Sequence, residues 1–415
     1  MRDYLTILGA GLAGSEAAWQ AAERGIPVVL YEMRPVKPTP AHKTDHCAEL
    51  VCSNSLGNNL SPSAPYLLKE ELRKFNSLVI DAGDTHAVPA GAALAVDREL
   101  FSKKITEQLL KHPNITLIRE EVTEIPSEGP VIVATGPLTS PRLSESISRL
   151  IGQEYLYFYD AISPIVDANT INYDKTFFAS RYDKGTDDYL NCPLNEGQYY
   201  SLVNELKNGE KVPFKSFEKP IYFEGCMPVE ELAMRGDKTL AFGPLKPVGL
   251  LHPETKEQFY AVVQLRHENK EGTAFNLVGF QTKLTYPEQK RVIRLIPGLE
   301  NAEFFRFGAI HRNTYINAPD VLSCELDLKK NSGIYFAGQI IGVEGYVESA
   351  SMGLLAALSA VKRIKGEVYS APPIDTALGS LLKYVTETRR QSFQPMNINY
   401  GLFQVHEMKI RDKRQ

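Results

Sequence analysis

Apolar positions along the chain change period several times, and each change marks an element. "YLTIL", residues 4 to 8, is a continuous apolar run of strand length. "GAGLAG" interrupts it, and "SEAAWQAAERG" then places alanines and other apolar residues at helical spacing, with Gly25 as its stop. "PVVLYE" is a second buried-strand run that ends at Glu32. Further along, "VDRELFSKKITEQLLKHPNITLIREEVTEI" predicts a helix followed by strands, and "GPVIVATGPL" a buried strand closing in a glycine turn. Residues 332 to 366, "SGIYFAGQIIGVEGYVESASMGLLAALSAVKRIKG", repeat the order strand, glycine loop, small-residue helix. Strands alternating with helices in this way predict an α/β fold built on a doubly wound sheet.

From about residue 150 to 325 the glycine fingerprints disappear. Tyrosines, prolines and short β-rich runs replace them, among them "KPIYFEGCMPVE", "YAVVQLRH" and "AFNLVGFQTKL". The pattern predicts a discontinuous nucleotide-binding domain, residues 1–149 and 326–375, interrupted by an inserted mixed α/β substrate domain, residues 150–325. Residues 376–415 are expected to pack on the nucleotide domain as a C-terminal segment.

The chemistry of the first turn follows from its spacing. Gly9 permits a tight turn, Gly11 lets a pyrophosphate approach the backbone, and Gly14 allows the helix to pack closely on the strand; Ala10, Leu12 and Ala13 complete the loop. Glu32 stands where a carboxylate accepts from a ribose hydroxyl, which favours FAD or NAD over NADP. The motif alone does not choose between them. The distant element with Gly338, Gln339, Gly342 and Gly345 suits an extended flavin dinucleotide, whose flavin end needs its own cradle; an ordinary strand-to-helix packing unit is the simpler alternative.

Composition adds boundaries. With 415 residues, 43% hydrophobic and 23% charged, the chain is of ordinary globular type and long enough for two domains. Five cysteines, an odd number, with no signal peptide apparent, point to reduced thiols and a cytoplasmic protein. No apolar run approaches the roughly 18 residues of a membrane span, so no membrane role is expected. The net charge of −4 does not itself suggest a nucleic acid. The last forty residues do carry a local excess, seven Lys/Arg against three acids, which charge alone reads as a solvated tail.

"AELVCSNSLGNNL", residues 48 to 60, sets Cys52 among serines and asparagines, an unusual place for a thiol unless its reactivity is used. Cys226 lies in "FEGCMPVEEL", between a glycine and a Met-Pro pair that suggest a constrained turn facing a cleft. Most free cysteines are inert core residues, and Cys192 and Cys324, beside strand-like residues, fit that description. His42, His46, Cys47 and Cys52 offer zinc-type donors, but no CxxC pair accompanies them, and no metal is expected. A redox disulfide between Cys52 and Cys226 depends on proximity that sequence does not give.

Nearly the whole chain resembles the bacterial folate- and FAD-dependent tRNA (uracil-5-)-methyltransferases. The resemblance is carried by "GAGLAGSEAAW", "YEMRP", "HKTDHCAELVCSNS", "AVDRELFS", "VIVATGPLTS", "FEGCMPVEELA", "GPLKPVGL", "YAVVQLR", "GFQTKLTYPEQKRV", "HRNTYI", "GIYFAGQIIGVEGYVESA", "TALGSLL" and "FQPMNINYGL", in the family's order. Cys47 departs from it, standing where the family commonly has an aromatic residue. The resemblance implies a glutathione-reductase-like FAD domain, tRNA as substrate, methylenetetrahydrofolate as carbon donor, reduced FAD as electron source and NADH or NADPH as reductant. It implies that Cys226 attacks uracil C6 and that Cys52, near the flavin, handles a proton or protects the reactive intermediate. Addition at C6 is needed because C5 of uracil is itself a poor nucleophile. His252, His267 and His311 are further acid–base or stacking candidates, and Lys290, Arg291 and Arg294 are candidate phosphate contacts. The rivals are the related FAD-dependent modification of wobble uridines by the glucose-inhibited division protein A family, a flavin oxidoreductase acting on a small molecule, and a non-catalytic flavin-bound RNA-binding protein. Oligomeric state is not legible.

Overall fold

A computed structural model describes residues 3–403 except 128, 184–185, 214–221, 223 and 389–392. Its main sheet has six strands in the order Asp327–Leu328, Asn331–Phe336, Val131–Val133, Leu5–Leu8, Val28–Glu32, Ile115–Arg119. All neighbours are parallel except the first pair. The apolar runs explain this arrangement: strands covered on both faces need no polar alternation, and Leu5–Leu8 is buried at every position. The sheet joins strands from both ends of the chain, so everything between Val133 and Asp327 is carried outside it.

Helix Leu12–Ala22 leaves the first turn and packs along helix Tyr346–Ile364 in backbone contact. A Cβ on Gly353 would lie 2.1 Å from the carbonyl oxygen of Ala13, and one on Gly14 would lie 1.8 Å from that of Gly9. Small residues at these places set the distance between the two glycine elements. Gly9 itself has φ +94°, a conformation that favours glycine.

A second sheet is wholly antiparallel, in the order Phe177–Phe178, Tyr189–Leu194, Ala261–His267, Ala274–Leu277, Ile165–Asp167, Phe304–Arg306. It backs a separate apolar core running from Val166 to Ala302, whereas the first core holds residues up to Phe158 and resumes at Tyr315. Strands Leu156–Ala161 and Ile310–Tyr315 pair antiparallel and carry the chain from one core to the other. A three-stranded sheet, Ser55–Asn58, Ala93–Val96 and Ala87–Val88, gives part of the polar 48–60 stretch regular structure.

Two expectations change. "KPIYFEGCMPVE" reads as β-rich; residues 219–221 and 223 lie outside the described residues and Tyr222 makes a β-bridge with Tyr159, but Glu224–Cys226 form a short 3-10 turn and Val229–Met234 a helix. Pro228 sits at the N-cap, and Glu230 and Glu231 favour the positive end of the helix dipole. Cys324, expected to be structural, is exposed. Helix Ala377–Glu387 packs into the first core, its first turn held by the Glu71 carboxylate, which accepts from Ala377 and Leu378 N–H, both at 2.8 Å. Arg389, Arg390 and residues 404–415, which hold most of the C-terminal basic charge, lie outside the described residues. Among the described residues no helix is long and apolar enough to cross a membrane.

Candidate active site

The glycine turn after the first strand and the acid ending the second meet as their spacing suggests. Ala10 N–H donates to Glu32 Oε2 at 3.0 Å, while Arg34 donates to Oε1 from its backbone N–H at 3.0 Å and from Nε at 2.9 Å. Burial pushes the Glu32 carboxyl up, but the Arg34 charge and these hydrogen bonds outweigh it and hold it below the usual range. Gly9, Gly11, Glu32, Thr135 and Leu138 line one pocket. A Cβ on Gly11 would meet no protein atom within 4 Å, so the backbone there is open to a ligand.

Leu138 also lines a second, larger cleft of about 390 Å³. Its wall holds Cys52, Cys226, Asp160, His311, Gln339 and the start of helix Tyr346–Ile364. The Cys52 and Cys226 sulfurs and an Asp160 carboxylate oxygen all lie within 4.8 Å of one another. Three segments far apart in sequence therefore deliver two thiols and an acid to one point.

Each is held by identifiable contacts. Cys52 N–H donates to the Tyr346 hydroxyl at 2.8 Å, and Arg98 Nη2 donates to the Cys52 carbonyl at 2.9 Å. Arg98 also pairs with Glu268, and Arg306 donates to the carbonyl of Val51. Asn54, fully buried, explains the polarity of the loop: Nδ2 donates to the carbonyls of Val96 and His267, and Oδ1 accepts from Arg266 Nε, each at 3.0 Å. Cys226 reaches the cleft from its 3-10 turn, and Asp160 from the strand Leu156–Ala161.

The electrostatics of the two thiols diverge. The hydrogen bond from Cys226 lowers the Cys52 thiol and, with the nearby Arg98 charge, overcomes burial. Cys226, donor to Cys52, half-buried and facing Asp160, is pushed well up. Burial, followed by the Cys52 charge, raises Asp160 well above the carboxylate range. Glu344, buried beside it, is raised in the same way, and Gln339 Nε2 donates to its Oε2 at 2.6 Å.

Of the flavin-side candidates, Gln339 and Gly345 line this cleft, whereas Gly338 packs against Ala13 and Gly342 against Phe393. Gly338 has φ +84°, Gly342 φ +84° and Gly345 φ +111°, which lets the loop fold tightly before helix Tyr346–Ile364. The segment after the C-terminal helix braces it: Glu344 N–H donates to the Met396 carbonyl at 3.0 Å, and Asn397 Nδ2 to the Glu344 carbonyl at 2.8 Å.

Other candidates separate. His311 lines the cleft; burial first, then Arg306, lowers it to about 4, so it is neutral at pH 7. His267 stacks on Phe178 in the second sheet, and His252 caps a turn; neither lines the cleft. His42, His46, Cys47 and Cys52 do not converge: the ring of His42 meets Thr39, that of His46 meets Ser102, and Cys47 is in the core. Lys290, Arg291 and Arg294 already pair with Glu303, with Glu205 and Glu288, and with Glu303 respectively, so phosphate contact there requires exchange of partners. Asp160, Arg98, Arg306, Glu344 and Tyr346 are functional candidates that sequence reasoning missed as individual residues, although all but Asp160 and Arg306 fall within segments carrying the family resemblance.

Comparison with known proteins decides the family. Residues 4–368 match the family described as glucose inhibited division protein A. Over 409 residues the chain is 58% identical to methylenetetrahydrofolate–tRNA-(uracil-5-)-methyltransferase TrmFO of Natranaerobius thermophilus, covering 99% of this chain and 94% of that protein. The Bacillus subtilis enzyme of the same name is 54% identical over 411 residues, with 99% and 94% covered. This chain belongs to the methylenetetrahydrofolate–tRNA-(uracil-5-)-methyltransferase family. Within that family the Geobacter sulfurreducens protein is 57% identical across 100% of this chain and 95% of its own length. Two crystal forms of Aquifex aeolicus GidA share the fold at TM-score 0.70 and 18% identity, covering 92% of this chain and 67% and 69% of theirs. The higher identity lies with the methyltransferases, so the wobble-uridine alternative is not favoured.

Proposed function

We propose that the chain methylates C5 of a T-loop uridine in tRNA, taking carbon from methylenetetrahydrofolate and electrons from reduced FAD. The observation that carries this reading is the meeting of Cys52 and Cys226 in one cleft beside the Gln339–Glu348 edge.

The residues present fit FAD. The Gly9–Gly14 turn with its open face at Gly11 would hold the pyrophosphate, Glu32 the ribose end, and the loop from Gly338 to Gly345 with the helix N-terminus behind it the flavin end. Leu138, common to both pockets, lies between these ends. When bound, FAD supplies the electrons that reduce the one-carbon unit to a methyl group. We assign this role to the body formed by residues 1–149 and 326–375, with helix Ala377–Glu387 packed on it, and substrate contacts to the inserted region 150–325. NADH or NADPH is the proposed source of electrons and the cytoplasm the proposed location.

The chain's own residues then have distinct tasks. The Cys226 sulfur adds to C6 of uracil, and the C5=C6 electron pair moves toward O4, which makes C5 nucleophilic. Cys52, more acidic because its neighbours are Arg98 and the Cys226 donor, is placed to take the C5 proton that must leave before the methyl group is complete. Tyr346 and Arg98 fix its backbone. Closure of the cleft around uracil would exclude water from the reacting carbon.

The test is an incubation of purified protein with an unmodified tRNA transcript, methylenetetrahydrofolate labelled in its methylene carbon and NADPH or NADH, followed by nucleoside analysis. Labelled 5-methyluridine is expected. A flavin-loaded protein that binds tRNA and transfers no label would refute the reading in favour of a non-catalytic RNA-binding role.

A further inference from the structure

Asp160 has no task in the steps above, yet its setting is costly. It lies on a strand between aromatic and apolar residues, is 9% exposed, and its Oδ1 is buried without a hydrogen-bond partner. A carboxyl in such a place is expensive unless the site uses it. One of its oxygens is within 4.8 Å of both sulfurs; the Cys226 thiol, with one proton to share between Asp160 and the Cys52 sulfur, and the Asn313 side chain stand beside it as donors. The other groups around it are Cys52, Glu344 and Tyr346, with His311 opposite it in strand register. Arg98 and Arg306 face Cys52 and the backbone beside it, and Arg306 also faces His311.

We infer that Asp160 is the proton acceptor for Cys226: as the sulfur bonds to C6, the S–H proton passes to the Asp160 carboxylate and returns when the product is released. This rests on the proposed methylation. The balance is complete within the site. The S–H bond breaks and the S–C6 and O–H bonds form; the C5=C6 pair moves to O4, and no electrons leave the system. Elimination reverses each change. Asp160 is in this sense a positioning residue for the thiol, since it acts on uracil only through sulfur. Burial raises the Asp160 carboxyl well above the ordinary carboxylate range, which makes it a stronger base toward a thiol that the same surroundings also raise. Cys52 is the competing acceptor, because it also touches Cys226.

The test uses FAD-loaded protein with reductant, methylenetetrahydrofolate and tRNA carrying 5-fluorouridine; once C5 has taken up the one-carbon unit, fluorine stands where the departing proton would be and the sulfur adduct is held. Adduct formation in the wild type should slow as pH falls through the Asp160 titration, well above the usual carboxylate range. Asp160→Asn should remove this acid limb and slow adduct formation about 10²-fold or more at neutral pH, while Asp160→Glu restores part of the rate. Alkylation of Cys226 by iodoacetamide, read from its peptide, should at the same time shift to lower pH in Asp160→Asn, because a negative neighbour has been removed. A more acidic thiol that is nevertheless a slower nucleophile is not what a purely structural or purely electrostatic role produces. Adduct formation in Asp160→Asn as fast as in the wild type overturns the inference, as does a limb that vanishes in Cys52→Ala but persists in Asp160→Asn. If Asp160→Asn does not fold, the wild-type profile still decides, since a rate that stays flat from the ordinary carboxylate range up to neutrality leaves no base of this kind. Wild-type protein that gives no 5-methyluridine on unmodified tRNA would instead count against the methylation reading itself.

Discussion

Gly353 lies in the middle of a helix and touches no ligand site, yet the packing makes a sharp prediction for Gly353→Ala. The new methyl would stand 2.1 Å from the Ala13 carbonyl oxygen and 2.8 Å from its Cα and carbonyl carbon. To reach 3.4 Å, where ordinary van der Waals contact begins, the two helices must part by about 1.3 Å at that point. Overpacking of this kind costs roughly 1–3 kcal/mol. A contact this short against backbone belongs to the upper part of that range, about 2–3 kcal/mol; alanine's better helix propensity offsets up to about 1 kcal/mol, leaving a net loss of about 1–2 kcal/mol. Because Ala13 belongs to the first glycine turn and Gly353 to the helix behind the second, the separation also misaligns the two ends of the FAD site. FAD affinity should fall about 5- to 30-fold, the equivalent of the same energy. Thermal melting of the apoprotein and titration of flavin fluorescence measure the two effects. A variant with an unchanged or higher melting temperature and an affinity within about twofold of wild type would refute the backbone contact.

Gly11→Ala is the contrasting case: φ is −69° and no protein atom is within 4 Å of the added carbon, so the apoprotein should melt normally while FAD binding weakens, measured by the same pair of assays. Arg98→Met leaves Glu268, which is 8% exposed, without its partner; loss of about 3 kcal/mol is expected from breaking a buried pair, and denaturant unfolding reads it, together with a Cys52 alkylation profile moved to higher pH. His311, lowered to about 4 by burial and Arg306, binds a proton in the unfolded chain before it does so in the folded one. Its contribution to stability is therefore complete above about 6.5 and declines as pH falls toward 4; His311→Asn should flatten melting temperature against pH across that window. Cys226→Ala and Cys52→Ala should both keep the flavin spectrum; the first should make no 5-methyluridine, and the second should turn over slowly or not at all, read by single-turnover nucleoside analysis.

The nucleotide turn was legible because its chemistry is local: strand, Gly9 to Gly14, helix and Glu32 occur within one short stretch, and the Ala10–Glu32 hydrogen bond follows from it. The thiols were legible as anomalies, one in a polar loop and one in a glycine–proline turn, but neither stretch shows that the sulfurs meet. Asp160 was not legible, since nothing in "YLYFYDAISP" sets its one acid apart; only the pairing with Ile310–Tyr315 and the arrival of Cys226 place it beside the thiols. Arg98 was hidden for a similar reason. In "VDRELF" it is one charge in the first turn of a helix, and its reach back to the Cys52 carbonyl is a tertiary fact. From Glu224 onward the β-rich reading gives way to a turn and a short helix, because Pro228 at the N-cap and the two glutamates after it favour a helix start.

The account depends most on a uracil ring being captured by the Cys226 sulfur at the wall that also carries Cys52. Trapping the wild-type protein on 5-fluorouridine-containing tRNA in the presence of methylenetetrahydrofolate, then digesting and mapping the modified peptide by mass spectrometry, addresses this directly. The expected product is a pyrimidine attached to the peptide containing Cys226. Attachment at any residue outside the cleft, or product formation with no sulfur adduct at all, would contradict it.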